Sequence, residues 1–320
     1  MTPSSWLISL IPSANWHAPL LVVLGLILLA YGGHILVPAT INLAQKLKLS
    51  PAVIAVIVIA GGTSAPELIV SVQAAFYDSP AIALGNVIGS NIANSWLVIG
   101  IGALIAPISF ISSHAYRDGW VMVVLTSILL ASLFMIGALT LLPACLLLVI
   151  TLYYLRHIIK ADEVSSEEDA DPQVSLAKAS IMSALAILSL LAGAEMVVSG
   201  GKTLAMQAGI SEGVVGLTIV AIGTSLPEIA AVIASQLKGR TDIALGNVLG
   251  SNIFNIGLIL GLAGLIKPLP MGAGIDAISL LFLLAVTASL MMLIYAKMTI
   301  QKRMAFVFVG FYFLFLNHQF

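Results

Sequence analysis

The chain has 320 residues, of which 60 % are hydrophobic and only 8 % charged, against about 45–50 % and about 25 % in soluble domains. Thirteen Lys and Arg against fourteen Asp and Glu leave a net charge of −1, which excludes a polybasic surface for nucleic acid. The single cysteine, Cys145 in the run LLPACLLLVI, excludes an internal disulfide framework, a CxxC redox pair and a thiolate zinc cluster. The composition is that of an all-α polytopic membrane protein, and the missing period-two alternation excludes a barrel.

A bilayer span needs about 20 mostly apolar residues. In chain order the apolar runs predict ten spans, at 18–43, 51–77, 80–106, 118–137, 139–159, 177–204, 212–237, 241–266, 274–296 and 303–318. The narrowest division is at Gly137 and Ala138. The first fifteen residues lack the basic start of a signal peptide, so 18–43 reads as a retained first helix. With ten spans, Lys46, Lys48, Arg117, Arg156, Lys160, Lys178, Lys238, Arg240, Lys297, Lys302 and Arg303 collect on one side, and Lys202 and Lys267 on the other. The positive-inside rule makes the richer side cytoplasmic. Both termini are then extracytoplasmic, in a multi-pass protein of the cell (inner) membrane. The polar stretch 160–176 holds six of the fourteen acids and reads as a solvated cytoplasmic linker, because calcium-loop spacing is missing.

That linker separates 1–159 from 177–320, and the two parts repeat each other. IALGNVIGSNIAN (Ile82–Asn94) and IALGNVLGSNIFN (Ile243–Asn255) share eleven of thirteen positions at an offset of 161. The same offset places GTSAPE (Gly62–Glu67) on GTSLPE (Gly223–Glu228), Ser50 on Ser211 and Gly32 on Gly193. Five spans per unit is an odd number, so the second copy is expected to cross the bilayer inverted. Inverted repeats with matched polar interruptions point to an alternating-access transporter with its site near the midplane.

Ionisable groups inside spans are functional candidates by default. With loops and helix ends set aside, the sequence offers Glu67, Glu228 and Glu195. The first two hold one repeat position, each after Gly-Thr-Ser and Pro. Proline removes a backbone donor and breaks the preceding turn, which frees carbonyl oxygens at membrane depth, tolerated only where they are buried or line a wet cavity. Thr63, Ser64, Thr224 and Ser225 add oxygens on the same turns. On the next helices Ser90 and Asn94, and Ser251 and Asn255, fall at i, i+4 on one face. Taken alone, these hydroxyl and amide residues serve equally well as helix-packing glue, and the Gly85, Gly89, Gly246 and Gly250 spacing is common packing. With the two carboxylates they form a set of hard oxygen donors suited to calcium or sodium rather than zinc or copper. Two glutamates supply −2, the charge that compensates one calcium ion. Glu195 faces a repeat partner, His34, that is not an acid, and reads as a polar group on a helix face.

The paired GTSAPE…GNVIGSNIAN and GTSLPE…GNVLGSNIFN motifs resemble the alpha repeats of the calcium/cation antiporter superfamily, specifically its sodium/calcium exchanger branch. The likeness covers roughly residues 50–106 and 211–267. It implies ten helices as two inverted five-helix repeats, with helices 1 and 6 sliding across the core. It also implies metal sites built by Glu67 and Glu228 with Asn94, Asn255, Thr63, Ser64, Ser90, Thr224, Ser225 and Ser251. Several exchangers, the potassium-dependent ones characteristically, carry Asp where this chain has Asn255. The expected activity is calcium-for-sodium antiport, with a proton-driven antiporter as the alternative and a cation channel as a more distant one. No enzyme is expected, because no nucleophile–base pair, metal-ligand helix or cofactor motif is visible. The expected partners are calcium and sodium ions and the lipid bilayer, with no cofactor and no obligatory protein partner.

Overall fold

The computed structural model describes residues 17–161, 171, 173–209, 223–271 and 275–319. Its helices are α1 (His17–Leu47), α2 (Pro51–Thr63), α3 (Ala65–Phe76), α4 (Pro80–Ile105), α5 (His114–Ile136), α6 (Leu141–Ala161), α7 (Leu176–Gln207), α8 (Leu226–Leu237), α9 (Thr241–Ile266), α10 (Ala277–Tyr295) and α11 (Lys302–Gln319). Among the described residues seven of these are long and apolar enough to cross a bilayer, or eight when α2 and α3 count as one span bent by 50°. Two expected spans stand apart from that count. The one read at 212–237 is described only from Gly223 onward, and Ser211 also falls outside the described residues. The last, α11, has 18 residues and carries Lys302 and Arg303 in its first turn. The expected linker lies outside the described residues at 162–170 and 172.

The elements recur at the offset found in the sequence. The motif helices α4 and α9 each contain a π-helical stretch, Ala93–Val98 and Phe254–Ile259. A π turn inserts one residue into the helical ladder and re-aims the side chains on its C-terminal side. Four two-residue strands join the halves: β1 (Ile108–Ser109), β2 (Ala138–Leu139), β3 (Leu269–Pro270) and β4 (Thr299–Ile300). β1 pairs with β4 in the register Ile108↔Ile300, and β2 with β3 in the register Leu139↔Leu269. Adding 161 to the first-half member of each pair gives the second-half member of the other. Thr126 and Thr287, also 161 apart, meet hydroxyl to hydroxyl at 3.4 Å. Reciprocal contacts of this kind are those generated by a two-fold relation between halves.

Packing separates a centre from a periphery. The most apolar windows of α4 and α9 are 78 % buried, against 33 % for α1 and 28 % for α7. α1 and α7 lie antiparallel against each other through glycine. A Cβ at Gly25 would stand 2.6 Å from the Gly193 carbonyl, and one at Gly193 would stand 2.7 Å from the Gly25 carbonyl. Ser189 adds a hydrogen bond to the Leu28 carbonyl at 2.9 Å. The narrow division read at Gly137 is a true break, made by a left-handed φ of 77° that glycine adopts freely.

Candidate functional site

The site starts from the break between α2 and α3 and from the start of α8. Ser64 leaves the helical region (φ −81°, ψ 8°), and Ser225 does the same (φ −89°, ψ 1°). Pro66 and Pro227 occupy the first turn of α3 and α8, where a missing N–H costs nothing because the first turn has no intrahelical acceptor. That same missing N–H removes the i+4 donor from the carbonyls of Gly62 and Gly223. Glu67 and Glu228 come next in those first turns, at the positive ends of the helix dipoles, where a carboxylate is favoured.

Both carboxylates are buried, each 1 % exposed. The contacts around them are long, and two of the three cross between the halves. Ser64 Oγ of the first half donates to Glu228 Oε1 of the second at 3.5 Å. Ser90 Oγ donates to Glu67 Oε1 at 3.5 Å. Thr63 Oγ1 donates to Asn247 Oδ1, also at 3.5 Å. At that separation a hydrogen bond is at its weak limit. Glu67 Oε2, Glu228 Oε2, Asn94 Oδ1, Asn255 Oδ1, Ser225 Oγ and Ser251 Oγ are buried without a protein hydrogen-bond partner. Buried polar atoms are ordinarily paired, and unpaired carboxylate oxygens are costly. A concentration of them, with the glutamate and asparagine oxygens at repeat-equivalent positions, is chemically suited to a cation. Among the described residues no group of three His, Cys, Asp or Glu is placed to hold a metal ion; the donors here are two carboxylates supplemented by neutral oxygens.

The protein matches the family model "Sodium/calcium exchanger protein" over residues 17–160 and 178–320. The chain belongs to the sodium/calcium exchanger protein family. Sodium/calcium exchanger MaX1 of Methanosarcina acetivorans is 31 % identical over 93 % of this chain and 97 % of its own. Inner membrane protein YrbG of Escherichia coli is 35 % identical over 78 % of this chain and 80 % of its own. Among solved structures, the sodium-calcium exchanger NCX_Mj soaked with 10 mM Na+ and zero Ca2+ superposes with a TM-score of 0.81 at 30 % identity. That superposition covers 94 % of this chain and 98 % of the other.

Within this exchanger fold the residues read from the motifs are withdrawn from the surface, and hydrogen bonds join Ser64 to Glu228 and Ser90 to Glu67. Thr63, Ser64, Glu67, Ser90, Asn94, Ser225, Glu228, Ser251 and Asn255 are buried and Thr224 is half-buried. The simple i, i+4 face expected for Ser90–Asn94 and Ser251–Asn255 is modified, because the π stretches begin at Ala93 and Phe254. Glu195 stands elsewhere, exposed on α7.

Two groups are not evident from the motifs alone. Asn86 Nδ2 donates to the Glu67 carbonyl at 3.2 Å and to Ser71 Oγ at 2.9 Å, tying α4 to the turn that carries the carboxylate. Its repeat partner Asn247 instead accepts from Thr63. Their signal is present in the sequence, since GNV recurs in both copies. Asp118 corrects the expectation that Glu67, Glu228 and Glu195 are the acids within spans. It is 2 % exposed inside α5, held by Arg117 Nε at 2.8 Å and Tyr154 Oη at 2.8 Å. The apolar run puts the start of this span at 118, but Ser112 caps the helix by accepting from the backbone of His114 and Ala115. That cap draws Arg117 and Asp118 inside, where they satisfy each other.

Proposed function

We propose that the protein is a secondary active antiporter that exchanges calcium for sodium by alternating access, using Glu67 and Glu228 as the central carboxylates. The observation that carries this reading is the pair of buried, repeat-equivalent glutamates at two half-helix N-termini, with oxygens that no protein group satisfies. Asn94, Asn255, Thr63, Ser64, Ser90, Thr224, Ser225 and Ser251 supply neutral oxygens around them. Two carboxylates compensate one divalent ion. Sodium ions compete for the same oxygens, so the site holds one load or the other. An uncompensated site keeps two like charges in low dielectric and is the costly state.

The membrane arrangement that fits is ten spans in two inverted five-helix repeats, 1–159 and 177–320, joined by a cytoplasmic linker at 160–176. The strand pairs support it. In the ten-span order β1 and β4 fall on one side and β2 and β3 on the other, so each observed pair joins segments of the same side. Lysine and arginine place both termini outside. A reporter active only in the cytoplasm, fused after Phe320, is expected to be silent; activity there contradicts the topology.

The test of coupling is calcium uptake into proteoliposomes with sodium, potassium or proton gradients imposed one at a time. Uptake is expected to track the sodium gradient and to ignore potassium, since Asn255 brings no charge where the potassium-dependent pattern has Asp. Uptake sustained by protons alone would move the assignment to the proton-driven alternative. Flux that needs no counter-ion and does not saturate would indicate a channel.

A further inference from the structure

Pro38 stands inside α1 and has no N–H, so the carbonyl of His34, four residues earlier, loses its helical donor. Lys238, one residue past α8, replaces it: its Nζ donates to the His34 carbonyl at 2.7 Å. Beside that bond the two helices touch closely. A Cβ built on Gly33 would stand 2.9 Å from the Ala234 Cβ and 3.2 Å from the Ala230 carbonyl, so a larger residue at 33 would push α1 off α8. The seam floors an apolar groove of about 420 Å³, and Ala231 beneath α1 and α7 is 1 % exposed.

The repeat offset of 161 shows what the other half has at the same places. Pro38 becomes Ser199, which keeps its N–H, so the Glu195 carbonyl keeps a helical donor. Gly33 becomes Ala194, Ala230 becomes Ile69, Ala234 becomes Gln73 and Lys238 becomes Tyr77. Every feature that lets α1 close on α8 is missing from the equivalent faces of α7 and α3. The packing obeys the sequence. Both α1 and α7 pack on α8, whereas among the described residues α7 makes no comparable contact with α3. Val70, the counterpart of Ala231, is 37 % exposed, and Gln73 is exposed as well.

Inverted-repeat transporters change access by moving one bundle against the other around a fixed site. Resting on the antiport reading above, we propose that the Gly33–Ala230–Ala234 seam, closed by Lys238 on the carbonyl that Pro38 frees, is a one-sided latch. It holds the α1–α7 pair against α8 and makes the state with the α3 face uncovered the resting state. The reciprocal state, with α7 on α3, has no latch of its own. Transport requires the seam to open, and the seam sets how the protein divides its time between the two states.

The test uses a Cys145→Ser parent reconstituted in proteoliposomes. Gly33→Cys with Ala234→Cys starts from Cβ positions 2.9 Å apart, under the roughly 3.5–4.5 Å of a disulfide, so the two thiols can be bridged once the seam gives by about half an ångström. Oxidation is expected to cut counter-ion-driven calcium uptake by roughly tenfold or more while calcium binding persists, and reduction is expected to restore uptake. Separately, Val70→Cys and Ala231→Cys report access to the two faces by thiol labelling. Lys238→Met is expected to raise labelling at position 231 by about threefold and lower it at position 70. Lys238→Arg, which keeps a donor, is expected to preserve the parental pattern. A parent that transports, together with a cross-linked form that transports equally well, overturns the latch alone, and so does unchanged labelling at position 231 in Lys238→Met. A parent that binds no calcium and shows no cation-driven uptake overturns the antiport reading on which the latch rests.

Discussion

The two copies of the motif core are nearly identical in sequence and local form, yet their surroundings differ. Around Glu67 and around Glu228 a helix starts after the same non-helical serine, carries the same proline and places the same carboxylate in its first turn. Outside that core the halves part. α8 is covered by the α1–α7 pair, and the matching face of α3 is not. The contrast teaches that the proposed ion-binding chemistry is repeated in both halves, while the packing around it is not.

The hardest strain on that comparison comes from the carboxylates. Glu67→Gln and Glu228→Gln each keep the side-chain shape and remove one charge. A divalent ion stripped of water then loses compensation worth roughly several kcal/mol in a low-dielectric site, so each variant is expected to lose calcium flux by about a hundredfold or more. Removing one of two like buried charges leaves the empty protein as stable or more so, and both variants are expected to purify as folded protein. Flux measured at equal expression checks this. A large loss in only one variant would break the symmetry of the site.

A smaller effect is expected at the amides. Asn94→Ala and Asn255→Ala each remove one neutral oxygen that lacks a protein partner. Each is expected to weaken calcium affinity about tenfold, the worth of one hydrogen-bond-strength contact to a charged group, as read by calcium-binding isotherms. Similar losses support equivalent roles in the two halves. A loss at 255 alone would show that the second copy dominates.

How far the sequence carries depends on the kind of feature. The carboxylates and their oxygen neighbours are legible because identical residues recur at one offset and because charge inside a span is expensive. The break at Ser64 and the helix start at Ser225 follow from Gly and Pro. The π turns are not legible, since Ala93–Val98 and Phe254–Ile259 read as ordinary apolar helix and the extra residue per turn is set by packing. Asp118 is hidden by a boundary error of a few residues, which moves a charged pair from the helix interior to its end. Pro38 and Lys238 are both in view, but 200 positions apart in the chain, and only the tertiary fold brings the freed carbonyl to the ammonium.

Weaker still is the expected effect of Glu195→Gln. Its side chain is exposed on α7 and apart from the two buried glutamates, so flux is expected to stay within about twofold of the parent, the range of a surface change. A dead Glu195→Gln variant would place α7 in the ion path and undo the division between symmetric core and asymmetric surround.

The smallest expected effect separates two helix caps. Ser112 caps α5 with a hydroxyl, and Asp276 caps α10 with a carboxylate that accepts from the Ser279 backbone at 2.8 Å. That bond, the Ser279 hydroxyl and His318 hold the Asp276 carboxyl below its ordinary value. A depressed carboxylate contributes stability above its unfolded value and loses it as pH falls through the folded one. Asp276→Ala is therefore expected to cost about 1 kcal/mol at pH 7 and less under acid, whereas Ser112→Ala costs a similar amount at both. Thermal melts of the detergent-solubilised protein at neutral and acid pH check the pair.

The central claim, that calcium and sodium compete for one site made by Glu67 and Glu228, is tested most directly by equilibrium competition. Radioactive calcium bound to the purified protein is titrated with sodium, with potassium as the control. Sodium is expected to displace calcium to completion and potassium to leave it bound, with no calcium bound by Glu67→Gln or Glu228→Gln. Calcium that stays bound at saturating sodium, or that binds the two variants as well as it binds the parent, would contradict the account.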